Sequence, residues 1–261
     1  MKPIWRAGGL VFLGLLSWIP FVWAVNHPTH QPSPAVVAPN ADVDQLIKRS
    51  DSLVARKLFD DAIEVLKQCI ELSPRDATLY NRLGVAYHRK QDFRDAEVNY
   101  KKAIKLNPVY AEAYNNLGTI AFTQKKYGRA VKYYEKALKI RPEAATTHYN
   151  LGSAFFSQQK YDKAFTEYQL ALKMDPDLIE HISATGSMVR TAAFNQSKYH
   201  FYMAKIFALM GDNNRAIDYL TRAFEEGFKE TDLLYNDKAF ATLIKDEKFS
   251  RLIQNPPKPI E

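Results

Sequence analysis

Apolar and polar positions alternate with helical spacing through most of the chain. Tyr80, Leu83, Gly84 and Tyr87 fall at i, i+3, i+4 and i+7, which is one face of a helix. The same spacing returns 34 residues later, and then 34 later again. One register superimposes Leu83, Leu117 and Leu151, then Gly84, Gly118 and Gly152. The aromatics Phe93, Tyr127 and Tyr161 follow, then Ala96, Ala130 and Ala164, Tyr100, Tyr134 and Tyr168, and Ala103, Ala137 and Ala171. Each unit closes on a proline, Pro108, Pro142 or Pro176, which lacks an N–H and cannot continue a helix. The pattern predicts helix within each unit and a stop at its proline.

A helix–turn–helix unit of this length resembles the tetratricopeptide repeat (TPR) family. The resemblance implies an all-α fold, a right-handed superhelical α-solenoid in which each hairpin buries its apolar face against its neighbours. Repeats are expected at 43–76, 77–110, 111–144, 145–178 and 197–230, giving an array over 43–230. The first is degenerate, as a terminal unit is, with Arg49 and Ser50 where Leu-Gly stands later. An insertion, 179–196, breaks the period. Its first residues are expected to extend the preceding helix, Gly186-Ser187 to interrupt it, and Met188–Phe194 to begin a new one. Leu233, Leu234, Phe240, Leu243, Ile244, Phe249, Leu252 and Ile253 predict short capping helices over 231–253, followed by a disordered tail at 254–261.

The N-terminus has a different composition. Lys2 and Arg6 precede an apolar, uncharged run from Ala7 to Trp23, and Val22-Trp23-Ala24 ends it. This is a signal-peptide layout over 1–24, with a mature chain beginning near Val25. The alternative is an uncleaved membrane anchor, since 17 apolar residues reach the lower limit of a span. Both place the repeats on the exported side, periplasmic or extracellular. Four prolines in Val25–Asn40 predict a disordered linker over 25–42.

The formal charge is +7, with lysines clustered on the repeat helices at Lys101, Lys102, Lys105, Lys125, Lys126, Lys132, Lys136 and Lys139. No nucleic-acid-binding motif accompanies them, so they read as a solvated face and nucleic acid is not expected as a partner. Cys69 is the sole cysteine, which excludes an intrachain disulfide. It occupies the slot of Ala103, Ala137 and Ala171, so it reads as a buried small residue. His27 and His30 in the linker are too sparse to specify a metal.

Catalytic motifs are missing: no G-x-S-x-G, P-loop, G-x-G-x-x-G or H-E-x-x-H occurs. An enzyme would need a cluster in the insertion, which offers Glu180, His181, Ser183 and Ser187. The expectation is a non-catalytic chain without cofactor or metal. His148 and His200 stand where Tyr80 and Tyr114 do and are expected to pack between helices.

The TPR resemblance implies that the first helix of each unit lines a concave groove. The candidate residues there are Asn81, Arg82 and His88, then Asn115, Asn116 and Phe122, then Asn150 and Phe156, then Tyr202 and Lys205. An asparagine amide offers a donor and an acceptor, which suits a peptide bond. Asn116 and Asn150 occupy equivalent slots and resemble the asparagine ladder by which some TPR proteins hold an extended peptide, although Arg82 interrupts it. The carboxylate clamp of chaperone-type TPR proteins is not matched: its Lys and Asn slots hold Ile47 and Asp51, then Asn81 and Val85. The reading is an exported module that binds a protein or peptide partner in its groove. Its alternative is a membrane-tethered accessory or assembly subunit of an envelope complex.

Overall fold

A computed structural model describes residues 39–185 and 196–259. These lie in one compact unit, Ala38–Glu261. The segment read as signal peptide or anchor, most of the linker, and Met188–Phe194 fall outside the described residues.

Five helical hairpins follow in order. Helices α1 (Pro39–Ala55) and α2 (Phe59–Leu72) make the first, α3 (Ala77–Arg89) and α4 (Phe93–Leu106) the second, and α5 (Ala111–Thr123) and α6 (Tyr127–Ile140) the third. Helices α7 (Ala145–Ser157) and α8 (Tyr161–Met174) make the fourth. After the short α9 (Leu178–Thr185), α10 (Gln196–Leu209) and α11 (Asn213–Glu225) make the fifth. The first helix of each hairpin is called A below, and the second B.

Local chemistry fixes the helix ends. The Asp76 carboxylate accepts from the Thr78 N–H to start α3, and Asp212 does the same for α11 through the Arg215 N–H. The A-to-B turn requires one residue with positive φ. Lys57, Gln91, Lys125 and Gln159 supply it at 59° to 69°, and Gly211 supplies it in the fifth hairpin at 80°.

The repeating glycine has a definite partner. A Cβ on Gly84 would lie 2.6 Å from Tyr100 Cε1, and one on Gly152 would lie 2.8 Å from Tyr168 Cδ1. Gly118 meets the Tyr134 ring in the same way. The A helix therefore gives up its side chain to admit the buried ring of the B helix, and at Gly152 the backbone of Ala164 also comes close, 3.2 Å from an added Cβ. The tyrosine hydroxyls find acceptors on helix A: Tyr168 donates to Ser153 Oγ over 3.1 Å, and Tyr134 to Thr119 Oγ1 over 3.4 Å.

Neighbouring A helices contact one another directly, α3 with α5 and α5 with α7, while successive B helices stand farther apart. The array thus bends with its A row inside.

Three expectations are corrected. Helix α1 begins at Pro39, so residues 39–42 are helical rather than linker; a proline fits the first helical turn, where its missing N–H costs nothing. The residues after Pro176 do not extend α8, which ends at Met174; they form the separate α9. Pro176 lies in the intervening turn, and Arg215 holds that turn through the Pro176 carbonyl at 2.7 Å and Asp177 at 3.0 Å. The C-terminal cap is more broken than two helices: α12 (Asp232–Asn236), 3-10 turns at Lys238–Phe240 and Leu243–Lys245, and α13 (Glu247–Gln254). It does close the array. Phe240 and Phe249 are buried, and Phe240 and Phe228 both pack on Phe201 of α10.

Among the described residues, no helix is long and apolar enough to cross a membrane.

Candidate partner-binding surface

The A row brings the candidate asparagines together, but with one another. Asn116 Nδ2 donates to Asn81 Oδ1 over 3.1 Å, and Asn150 Nδ2 donates to Asn115 Oδ1 over the same distance. Each pair joins one repeat to the next. Asn81 also hydrogen-bonds the Tyr110 hydroxyl. At the preceding junction Arg82 plays the corresponding part, donating to Asp51 of α1 at 2.5 Å. The slot that interrupts the expected ladder therefore continues a different one, in which each repeat is tied to its predecessor.

Exposure separates what remains available. Asn150 is 3% exposed and Asn81 9%, so their amides are structural ties rather than ligand contacts. Asn115, Asn116 and Arg82 are half-buried and reach the inner surface.

The candidate aromatics are displaced from the groove. Phe122 and Phe156 are buried, and each ring meets the first residue of its own B helix edge-on: Tyr127 at 5.2 Å and Tyr161 at 5.1 Å. His88 does the same with Phe93 at 5.5 Å. Residue i and residue i+5 thus clasp the A–B turn from inside. His88 is also 3.5 Å from the Tyr100 hydroxyl, and burial together with nearby Arg89 pushes its pKa down to about 4. None of these three side chains is a groove contact.

At the fifth repeat, Tyr202 stacks on Tyr161 at 5.8 Å and remains half-buried. Lys205 lies over the Phe165 ring and pairs with Asp237 of the C-terminal cap at 2.6 Å. The cap therefore engages this end of the inner surface. Asp237 gave no signal in the sequence, because it lies outside the repeats, whereas Asp51 stood in a groove slot of the first.

Hydroxyls fill the rest of the surface. Thr119 donates to the Asn115 carbonyl, Thr123 to Thr119, Ser153 to Tyr149 and Ser157 to Ser153, each four residues back. Their protons are used inside the helices, so the exposed Thr123 and half-buried Ser157 turn acceptor lone pairs outward. From Arg82 to Ser157 the amides and hydroxyls are held in place by their own bonds, and at the fifth repeat Lys198 lies over the Tyr161 ring, 4.6 Å from its centroid.

The histidines pack between helices, as expected from their slots. His148 Nδ1 is 2.6 Å from Glu167, and its Nε2 donates to the Pro142 carbonyl at 2.8 Å. Tyr80 makes the matching bond to the Pro74 carbonyl. His200 lies 3.0 Å from Glu226. Cys69 is fully buried, and burial raises its thiol pKa. Of the insertion residues considered for catalysis, His181 is exposed and pairs with Asp175 at 3.1 Å, and Glu180 is exposed nearby. The side chains of Ser183 and Ser187 fall outside the described residues. Among the described residues there is no cluster of three metal-ligating side chains. A shallow, open cleft of about 540 Å³ lies on the opposite side, lined by Glu135, Leu138, Lys139, Leu151, Phe155 and Glu167.

The hairpins, the glycine–tyrosine register and the inter-repeat ties define a helix–turn–helix repeat solenoid. Residues 89–145 and 126–179 match one tetratricopeptide repeat family and residues 51–91 match a second TPR family, so the chain belongs to the tetratricopeptide repeat proteins. That fold is a non-catalytic, protein-interaction scaffold. Comparison with curated proteins gives no match. Among solved structures, the chain is similar to one described as a functional characterisation of Pseudomonas aeruginosa pilF. The identity is 17% over 82% of this chain and 97% of that one, with a TM-score of 0.56. A MamA fragment from Desulfovibrio magneticus RS-1 aligns at 20% identity over 71% of this chain and 94% of that one, with a TM-score of 0.49. YrrB, described as a TPR protein with an unusual peptide-binding site, aligns at 15% identity over 77% and 98%, with a TM-score of 0.46. At these identities the likeness is one of fold.

Proposed function

We propose that this protein is a tethered accessory or assembly subunit that holds a segment of a partner protein on its inner surface. The carrying observation is the tied A row. Asn116, Thr123 and Ser157 project from helices locked to one another by Asn81–Asn116 and Asn115–Asn150, and Tyr202 from α10, which is tied to α7 by the Tyr149–Tyr199 hydroxyl bond, so the surface is preorganised before a partner arrives. Preorganisation lowers the ordering cost of binding. A half-exposed amide beside outward-facing hydroxyl oxygens suits the N–H groups of an extended backbone.

The tether is the apolar run from Ala7 to Trp23, behind Lys2 and Arg6. In this reading it remains attached and keeps the repeats on the exported side of the membrane. Fractionation followed by intact-mass analysis tests the tether. A membrane-bound species retaining Met1–Ala24 supports it. A released species beginning near Val25 replaces it with a freely exported scaffold that uses the same surface.

A further inference from the structure

The outer row of B helices carries its charge unevenly. Four slots on each B helix lie on its outer side, all exposed except at Gln169, Thr221 and Glu225, which are half-buried. They hold Asp60, Glu64, Lys67 and Glu71 on α2, then Arg94, Val98, Lys101 and Lys105 on α4. On α6 they hold Gly128, Lys132, Glu135 and Lys139, and on α8 Asp162, Thr166, Gln169 and Lys173. On α11 they hold Asn214, Asp218, Thr221 and Glu225. The basic slots are thus concentrated on two neighbouring helices, α4 and α6, between an acidic α2 on one side and, on the other, an α8 whose slot charges cancel and an α11 whose slots are acidic.

These two helices form one continuous surface. Arg129 of α6 reaches Glu97 of α4 at 2.5 Å, and Lys101 reaches the same carboxylate at 2.8 Å. The hydrogen bond from Lys101 and those from Arg129 hold the Glu97 carboxyl below the usual carboxylate range, so its charge is internally compensated. The other carboxylates on these helices are Asp95 and Glu135. Against them stand Arg94, Lys102, Lys105, Lys132, Lys136 and Lys139, with Lys125 and Lys126 exposed in the turn before α6. Two apolar side chains lie exposed beside the lysines: Val98 at 58% and Val109, just past the end of α4, at 67%.

We propose that the α4–α6 face docks on an anionic lipid surface. Lysines near such a surface gain from its negative potential, and shallow apolar side chains add burial at the interface. Val98 and Val109 favour lipid over a nucleic acid, whose phosphates give two valines no partner. The inference goes beyond a tether. It assigns an orientation, with the outer row of repeats two and three against the bilayer and the inner row turned away toward the partner. It holds whether or not residues 1–24 stay attached.

The test compares the full chain with a Lys105→Gln, Lys132→Gln, Lys139→Gln variant on vesicles of phosphatidylcholine alone and of phosphatidylcholine with phosphatidylglycerol. The N-terminal segment, with Lys2 and Arg6, adds its own anionic preference to the full chain and the variant alike, so it cancels when the two are compared. Each lysine near the surface is worth about fivefold in partition, so the three give on the order of 100-fold if they add. Wild type should partition at least about tenfold better onto anionic vesicles at low salt, and the variant, with unchanged helicity, should lose most of that preference. A fluorophore on Val109→Cys, in a Cys69→Ala background, should be quenched by brominated lipid, while one on Glu71→Cys should not. Equal partition of wild type onto both vesicle types overturns the proposal, as does a variant that keeps the preference. An unquenched label at position 109, with equally tight salt-dependent binding to polyglutamate, assigns the face to an acidic protein instead and also overturns it.

Discussion

Asn150 Nδ2 donates to Asn115 Oδ1 across 3.1 Å, joining the fourth repeat to the third, and Asn150 is 3% exposed. Two residues that read in sequence as peptide-binding candidates are therefore bonded to each other, and a stability cost follows for each. Asn115→Ala leaves the buried Asn150 amide unpaired, which costs about 1–3 kcal/mol. Asn116→Ala removes the donor to Asn81, which is less deeply buried than Asn150 and keeps the Tyr110 hydroxyl as a partner, so it costs about 0.5–1.5 kcal/mol. Urea unfolding of the two variants checks the order. A smaller loss for Asn115→Ala than for Asn116→Ala contradicts the burial argument.

Glycine substitutions on α5 and α6 should act with opposite signs. Gly118 faces the buried Tyr134 ring, so Gly118→Ala forces that ring to move and costs about 1–3 kcal/mol. Gly128, in the first turn of α6, has nothing within 4 Å of an added Cβ. Gly128→Ala there should stabilise by about 0.4–1 kcal/mol through the unfolded chain. Thermal melts followed by circular dichroism read both, and a neutral Gly118→Ala would show that the ring contact is not tight.

The 34-residue period and its slots made the hairpins legible from sequence, because every repeat reuses the same contacts. Leu83, Gly84, Tyr100 and Pro108 announced theirs by recurring. The site was less legible, because helical spacing assigns a face but not a partner. Phe122 lies on the A helix at a spacing that suits the groove, yet its ring turns toward Tyr127, five residues on and across a turn. Asn115 and Asn150 stand 35 residues apart, one more than the period, so aligning equivalent slots conceals their bond. Helix α9 escaped because it begins where the period would place a fifth A helix and then stops short.

His88 makes stability depend on pH. Its folded pKa lies at about 4 against an ordinary value of 6.5, because burial and Arg89 disfavour the imidazolium. Between those values the unfolded chain binds the proton and the native chain does not, so stability rises with pH. Lowering the pH from 7 through 6.5 toward 4 should remove up to about 3 kcal/mol, with no further loss from this residue below 4. His88→Phe keeps the edge-on contact with Phe93 and should flatten the urea midpoint between pH 4.5 and 7. An unchanged slope in that variant would assign the effect elsewhere.

Arg215 should control the turn that leads into α9. It bonds Asp212, Asp177 and the Pro176 carbonyl and lies over the Phe207 ring, 4.5 Å from its centroid. Each surface ion pair is worth about 0.2–1 kcal/mol, and the network adds a cation–π contact of about 0.5–1 kcal/mol. Arg215→Ala should lower global stability by about 1–2 kcal/mol while accelerating amide exchange selectively in Leu178–Thr185. Uniform acceleration across all helices would show that the turn is not held locally.

The direct test of the central claim is site-specific photocrosslinking in the native host. A photoreactive residue is placed at Asn116 or Thr123 on the inner row, and at Glu71 or Thr221 on the outer row. All four variants must show wild-type helicity. Adducts to one common protein from positions 116 and 123, and none to it from 71 and 221, are the predicted result. That protein crosslinking from 71 or 221 while 116 and 123 stay silent would mean that partners bind outside the solenoid, and the inner surface would lose its assigned role.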